Sequence, residues 1–132
     1  EPDTALTSAE KSQARLNISA ASADIIETSL APQTLTESAT IVYDISDGKN
    51  AEVTLTANRN LSLPTNLFAG ASGALIVTQG GVGGFELALA SGWFVSAGDL
   101  AEIAGLASGE VAQITWYCRN IYNLNATVLL LQ

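Results

Sequence analysis

The sequence predicts a mainly β fold, an antiparallel β-sandwich or barrel with one short helix at its N-terminus. From residue 39 onward, six to eight short runs rich in β-branched and aromatic residues alternate with glycine and asparagine turns, a spacing typical of sandwiches and barrels. A single Ala-rich phrase with a helix start signal comes before them. We therefore expect two parts: residues 1–38 as a helix with its connector, and residues 39–132 as a β head domain.

The first predicted element is a helix over Thr7 to Leu16. Thr7 and Glu10 form the capping box T-S-A-E, and helix-favouring residues follow until Asn17 and the β-branched Ile18. About ten residues is fewer than the ~12–15 that an isolated helix needs in water. The helix therefore requires burial against another surface, and these apolar positions would supply it: Leu6, Ala9, Leu16 and Ile18.

The next stretch, residues 20–38, is predicted as a connector, in which Asp24 to Leu30 forms either one further helical turn or a short strand. The head domain then begins with a predicted hairpin. Ala39 to Ile45 is its first strand, Asp47-Gly48 is the signal of a type I′ turn, and Ala51 to Thr56 is the second strand. Strict alternation in the second strand predicts one buried and one exposed face.

Short strands are also predicted through the middle of the chain, at 58–64, 73–79, 85–90 and 93–95. The run GGVGG predicts a hairpin turn between the second and third of them. Residues 97–109 form a Gly/Ala-rich acidic loop, in which Leu100 to Ala104 has the pattern of a helical turn.

The chain ends with the two strongest strand signals, Glu110 to Cys118 and Tyr122 to Leu131. The second of these breaks the alternation of apolar and polar residues, because Leu130 points to one face while its two leucine neighbours point to the other. Apolar residues on both faces are expected of a strand covered on both sides. We therefore expect the domain to cover one face and a neighbouring molecule to cover the other.

The composition excludes several classes of function. Only five basic residues stand in a chain of net charge −8, which argues against nucleic acid and anionic membranes, since both demand clustered Lys and Arg. No apolar run approaches the ~20 residues of a membrane span, so no membrane insertion is expected. Methionine is absent, and we expect either a processed product or a segment of a longer chain.

Catalytic, metal and cofactor sites are not predicted. Histidine is absent and Cys118, inside an apolar run, is the only cysteine, which removes zinc sites of the usual ligands and any triad with a His base. Asp44 to Asn50 resembles a calcium loop faintly but lacks its terminal Glu, and a hairpin turn explains the Asp-Gly pair. The remaining carboxylates show no paired spacing, so we predict that the protein is not an enzyme.

Two parts of the sequence resemble bacteriophage fibres. LTSAEKSQARLNISAAS resembles the tail-fibre phrase L-T-x-A-x-x-x-Q-A-R-x-N-I-G-A. AEVTLTANRNLSLPTNLFAGASGALIVTQGGVGGFELAL, followed by GW and ITWYC, resembles a β domain at the ends of phage tail fibres and virion spikes. The likeness covers roughly residues 6–22 and 40–132, and it departs at Ser19 and in the acidic loop 97–109.

This resemblance implies a homotrimeric virion structural protein, joined to a fibre shaft and to other virion proteins. It implies attachment of the particle to a host cell-surface polysaccharide or protein, and localisation in a virion assembled in the bacterial host cytoplasm. The alternative is a purely structural component without receptor binding, such as a head fibre, a fibre joint or a decoration protein. The short helix agrees with a trimer, whose predicted interface consists of Leu6, Ala9, Leu16, Ile18 and Leu130.

The predicted receptor-binding surface combines the loops Thr65 to Ser72 and Ser91 to Gly109. Trp93 follows Gly92 beside a loop and is therefore expected to be exposed, where it could stack on a sugar ring. Asp99 and Glu102 complete the predicted site.

Overall fold

The computed structural model describes residues 6–131 of the chain, with side chains at residues 6–20 and 30–131. It contains helices and strands together, with the strands gathered into two sheets. The elements in chain order are α1 (Ser8–Leu30), β1 (Gln33–Thr34), β2 (Thr40–Ile41), a short 3₁₀ helix (Ile45–Asp47), β3 (Ala51–Leu55), β4 (Arg59–Leu61), β5 (Ser72–Gln79), β6 (Leu87–Leu89), β7 (Trp93–Phe94), α2 (Ala97–Ala104), β8 (Val111–Asn120) and β9 (Asn123–Leu131).

The N-terminal helix begins as predicted but continues much further. Its capping box forms, with the Thr7 N–H donating to Glu10 Oε2 at 2.6 Å and the Glu10 N–H to Thr7 Oγ1 at 3.2 Å. The expected end near Asn17 is wrong, because α1 extends to Leu30. Asn and β-branched residues each cost a helix only a few tenths of a kcal/mol, roughly, whereas Pro32 disfavours helical backbone at the residue before it.

Most strand pairs are parallel, and the antiparallel prediction is wrong for them. β1, β3 and β5 pair in parallel within a six-stranded sheet, and β2, β4 and β6 pair in parallel within a three-stranded sheet. The chain alternates between the two sheets and so winds through three turns. The strand-rich part accordingly begins at Gln33 rather than at residue 39.

Neither of the two predicted internal hairpins exists. Asp47 lies in the 3₁₀ helix, whose N-terminus is capped by the carboxylate of Asp44. The GGVGG turn leads from β5 in the larger sheet to β6 in the smaller one. Glycine-rich turns reverse the chain locally, but they do not decide which strand becomes the neighbour of which.

The C-terminal hairpin forms as predicted. β8 pairs antiparallel with β9 and with β5, and the two-residue β7 adds to the other edge of β9 in parallel. A register shift lies between Cys118 and Asn120, next to the turn.

Side chains from both sheets contribute to one hydrophobic core. At its centre the rings of Tyr43 and Trp116 meet edge to face, with centroids 6.1 Å apart, and the indole N–H donates to the Tyr43 hydroxyl at 3.3 Å. Burial raises the pKa of Tyr43 to about 12. Gln79 is fully buried, donating to the carbonyls of Ile103 and Phe85 and accepting from the Phe85 N–H.

The two ends of the strand-rich part differ. One end, called here the helix end, lies next to the last residue of α1, where the Asn50 side chain donates to the carbonyl of Leu30 at 2.7 Å. At the same end the Gly70 N–H donates to the carbonyl of Cys118 at 2.8 Å. The opposite end, called here the glycine-loop end, contains the turn of residues 80–84. Gly83 of this turn forms an isolated β-bridge with Ala107. A Cβ at Gly83 would lie 2.4 Å from a backbone nitrogen, so this approach requires glycine.

Candidate functional site

Trp93 is buried, contrary to the expectation that it would be exposed. Only 8% of its surface is accessible, and its indole N–H donates to the carbonyl of Ser62 at 3.1 Å. Successive residues of a strand point to opposite faces, so the neighbouring Phe94 faces outward and is 53% exposed. Phe94 is therefore the exposed aromatic side chain of this pair, whereas the sequence predicted that Trp93 would be.

Asp99 and Glu102 both lie on α2 but in different surroundings. Asp99 is half-buried in the first turn, where its Oδ2 accepts from the Val128 N–H of β9 at 3.4 Å. Ser96 caps this helix by accepting from the Asp99 N–H at 3.1 Å. Glu102 is exposed. Asp99 thus links α2 to the sheet, while Glu102 is free to meet a ligand.

The two loops predicted to form one surface share only the helix end of the domain. Thr65 to Ser72 is at the helix end, next to the last residues of β8. The segment Ser91 to Gly109 starts at the helix end, continues through α2, and finishes at the glycine-loop end beside Gly83. No single loop surface carries all the predicted receptor-binding residues.

The solvent-facing side of β5, β8 and β9, called here the outer sheet face, is uncharged along most of its length. Its residues form continuous rows in register across the three strands. The face consists of the outward-pointing residues of the three strands: Ser72, Ala74, Ile76, Thr78, Val111, Gln113, Thr115, Tyr117, Asn125, Thr127, Leu129 and Leu131.

Exposed aromatic rings stand at one end of this face. Tyr117, which is 51% exposed, pairs with Asn125 of β9, and Asn125 pairs in turn with Phe94 of β7. The guanidinium carbon of Arg119 lies 5.6 Å from the centre of the Phe94 ring. Tyr117, Asn125 and Phe94 are called here the aromatic row. Alternation along β8 places Trp116 and Tyr117 on opposite faces, whereas the position of Tyr117 in one row with Phe94 depends on the strand order.

A shallow groove of about 370 Å³ runs beside the Tyr117 ring. Its walls and floor are mostly uncharged polar and small residues: Ser72, Thr115, Trp116, Tyr117, Asn125, Ala126 and Thr127. A second groove of about 280 Å³, between α2 and β6, is mostly apolar and includes one carboxylate, that of Glu86. The surface that the first groove presents to a ligand is nevertheless largely apolar.

The predicted trimer-interface residues divide into two groups. Ala9, Leu16 and Ile18 are exposed on the described part of α1, with Leu16 at 64% and Ile18 at 67%, and Leu6 is exposed just before the helix begins. Leu130, in contrast, is half-buried and packs against the core of its own chain. The outward-facing leucines of β9 are Leu129, which is 58% exposed, and Leu131. The strand therefore has apolar residues on both faces, as expected, but Leu130 faces the core and its two leucine neighbours face outward.

Charged groups with shifted pKa values lie away from the groove. Glu37 accepts from Arg59 at 2.5 and 3.0 Å and from Thr56, and these hydrogen bonds lower its pKa to about 2. Hydrogen bonds from Asn66 and Ser46 lower the pKa of Asp44. Burial raises the pKa of the Cys118 thiol, so that residue is a poor nucleophile.

Within residues 6–131, no cluster of His, Cys, Asp and Glu side chains has the geometry of a metal site. Neither helix of this part of the chain combines the length and hydropathy that a membrane-spanning helix needs. The chain matches no protein-family model, no curated protein and no solved structure.

Proposed function

We propose that this protein is a trimeric fibre or spike domain of a bacteriophage virion, and that it attaches the particle to the host cell surface. The observation that carries the proposal is the exposure of α1. The helix has 23 residues and is therefore about 35 Å long, and its residues 8–20, whose side chains the structure describes, are almost all exposed. The sequence resemblance to phage fibres supports the same conclusion.

An exposed helix of this kind is explained by association with copies of itself. Fully burying a Leu or Ile side chain stabilises by about 1.5–3 kcal/mol. Leu16 is about two-thirds exposed, so covering it contributes roughly 1–2 kcal/mol per chain, whereas Ile18, two positions further on, faces the other side of the helix. Three helices packed along one axis would supply that burial, whereas a lone helix relies on its propensity alone.

The outer sheet face supplies a second surface for the trimer. Leu129 and Leu131 stand exposed at the glycine-loop end of this uncharged face. Interface centres are depleted in charged residues, and this part of the face has none. We assign the inter-chain contact to Leu129 and Leu131, in place of Leu130.

Light scattering on the intact chain tests the assembly, which should have three times the 13.6 kDa mass of one chain at micromolar concentration. Leu129→Asp should yield monomers with an unchanged circular dichroism spectrum, because the buried charge opposes association and not folding. Leu130→Asp should instead lower the stability of the fold. Thr54→Asp, an exposed position on the same sheet, is the matched charge control. A monomeric mass for the unmodified chain would refute the assembly.

Attachment is tested by the binding of the fluorescently labelled protein to bacterial cells. Saturable binding to cells of a susceptible strain, absent on resistant cells, would support the attachment role. A stable trimer that binds none of the cells to which the particle adsorbs would favour the second candidate, a purely structural virion component. The exposed part of the helix fits that candidate equally well.

A further inference from the structure

We propose that the outer sheet face is covered by the same face of two other copies, so that the three faces form the sides of a triangular prism and their side chains point to its axis. This inference rests on the trimer of the proposed function. It extends the contact at Leu129 and Leu131 along the whole face and places equivalent residues of the three chains at the same level. Four features support it: the distribution of charge, the apolar surface, the width of the face and its connection to α1.

The first feature is the distribution of charge. The chain has a net charge of −8, so copies repel one another wherever charged surfaces meet. The residues of the outer sheet face are uncharged, whereas Glu52 flanks the face on β3 and Arg119 follows it at the helix end. Protein interfaces have such an anatomy, with charge depleted at the centre and polar groups at the rim. A foreign partner attracted to an acidic chain would instead gain most from its charged surfaces.

The second feature is the apolar surface. Leu129 is 58% exposed, Tyr117 is 51% exposed and Leu131 is 38% exposed, all on this one face. The groove beside Tyr117 presents a largely apolar surface as well. Contact between three copies would remove these surfaces from water, which is favourable. The hydroxyls of Thr115 and Thr127 both donate and accept, so they can hydrogen-bond to their equivalents in the other chains without burying a charge.

The third feature is the width of the face. Its three neighbouring strands, β5, β8 and β9, span roughly 14 Å at about 4.8 Å for each strand. Stacked sheets lie about 10 Å apart, so a sheet whose side chains fill the space up to an axis stands about 5 Å from that axis. A triangular prism with this clearance has sides of about 17 Å, or three to four strands. The uncharged width therefore suits three copies, and Glu52 falls at a corner of the prism, near solvent.

The fourth feature is the connection of the face to α1. The Asn50 side chain donates to the carbonyl of Leu30, at the end of α1, and accepts from the Ala74 N–H at 3.1 Å. Ala74 belongs to the outer sheet face and is in register with Thr115. Leu30 itself is 55% exposed. The end of α1 thus adjoins this face, and one three-fold axis can pass between the helices and continue between the sheets.

The experiment cross-links the full chain in its native assembly through one introduced thiol. Thr115 lies on β8, the middle strand of the face, so its three copies should converge on the axis. Under mild oxidation, Thr115→Cys should form inter-chain disulfides that link two of every three chains, because the third thiol has no partner left. Asn60→Cys, exposed on β4 of the smaller sheet, is the matched control and should not link. Thr115→Cys should also react with a maleimide at least tenfold more slowly than Asn60→Cys.

The unmodified chain controls for Cys118, which is buried and should form no link. Gln113→Cys repeats the test at the next outward position of β8, and light scattering measures the mass of each sample. An assembly of three chains in which neither thiol links, and both react as fast as Asn60→Cys, overturns the inference and leaves the trimer standing. Linking of every chain would indicate a two-fold pair of faces, again against the inference.

A monomeric mass would overturn the inference and the assembly of the proposed function together. If the Thr115→Cys thiol is free in a trimer and its labelling abolishes binding to susceptible cells, the face belongs to a host receptor. That result would overturn the inference and support the attachment role. The attachment role is otherwise tested separately, by the binding of the labelled chain to susceptible cells.

Discussion

Replacing Trp93 by Ala tests whether this side chain stabilises the core or, as the sequence predicted, binds a receptor at the surface. The change removes a side chain that is 8% exposed and leaves the carbonyl of Ser62 without its indole donor. Truncating a buried Trp to Ala costs about 3–5 kcal/mol, and the unsatisfied carbonyl belongs to that loss. A domain of ordinary stability, about 5–15 kcal/mol, would lose a large fraction of its free energy of unfolding.

Urea unfolding followed by circular dichroism measures this loss, at one fixed protein concentration because association also stabilises the fold. With a slope near 2 kcal/mol per M, the midpoint should fall by about 1.5–2.5 M. Phe94→Ala is the matched control, since the adjacent ring is 53% exposed and its removal should move the midpoint far less. Equal midpoints for Trp93→Ala and the unmodified chain would refute the burial argument.

Two further predictions concern polar groups. Gln79→Leu should destabilise the fold by roughly 3 kcal/mol in the same urea assay, because it leaves buried backbone groups of Phe85 and Ile103 without hydrogen-bond partners. The control is Gln113→Leu, at a half-buried position, and similar effects of the two substitutions would contradict the reasoning. Glu37, with its pKa lowered from 4.5 to about 2, should stabilise the fold above about pH 4.5 and lose that contribution as the pH falls towards 2. Glu37→Gln should therefore lower the urea midpoint at pH 6 and flatten its decline in acid, and an unchanged pH profile would contradict this role.

The elements predicted correctly from the sequence are those governed by neighbours in the chain. The capping box of Thr7 and Glu10 forms as its spacing indicates, and the β8–β9 hairpin forms where two long alternating runs are joined by a short turn. In each case the deciding interaction lies within a few residues or along one pair of adjacent strands.

The candidate site was less predictable, because it depends on which strands become neighbours. Trp93 and Phe94 are equally hydrophobic in the sequence, and only the position of β7 against β9 decides that the first is buried and the second exposed. Leu129 and Leu130 present the same ambiguity. A shift of one residue exchanges the two faces of a strand, and no local signal in an apolar run such as VLLL fixes the choice.

By itself the sequence determined the strand-rich character of the chain, the start of α1, and the scarcity of charge that leaves the outer sheet face uncharged. Only the tertiary structure decided that most strands pair in parallel, that α1 continues to Leu30, and that Tyr117, Asn125 and Phe94 form one row. The physical reason is that propensity and alternation act over a few residues. Parallel pairing and the choice of a buried face depend instead on contacts between distant segments, which exist only once the two sheets share a core.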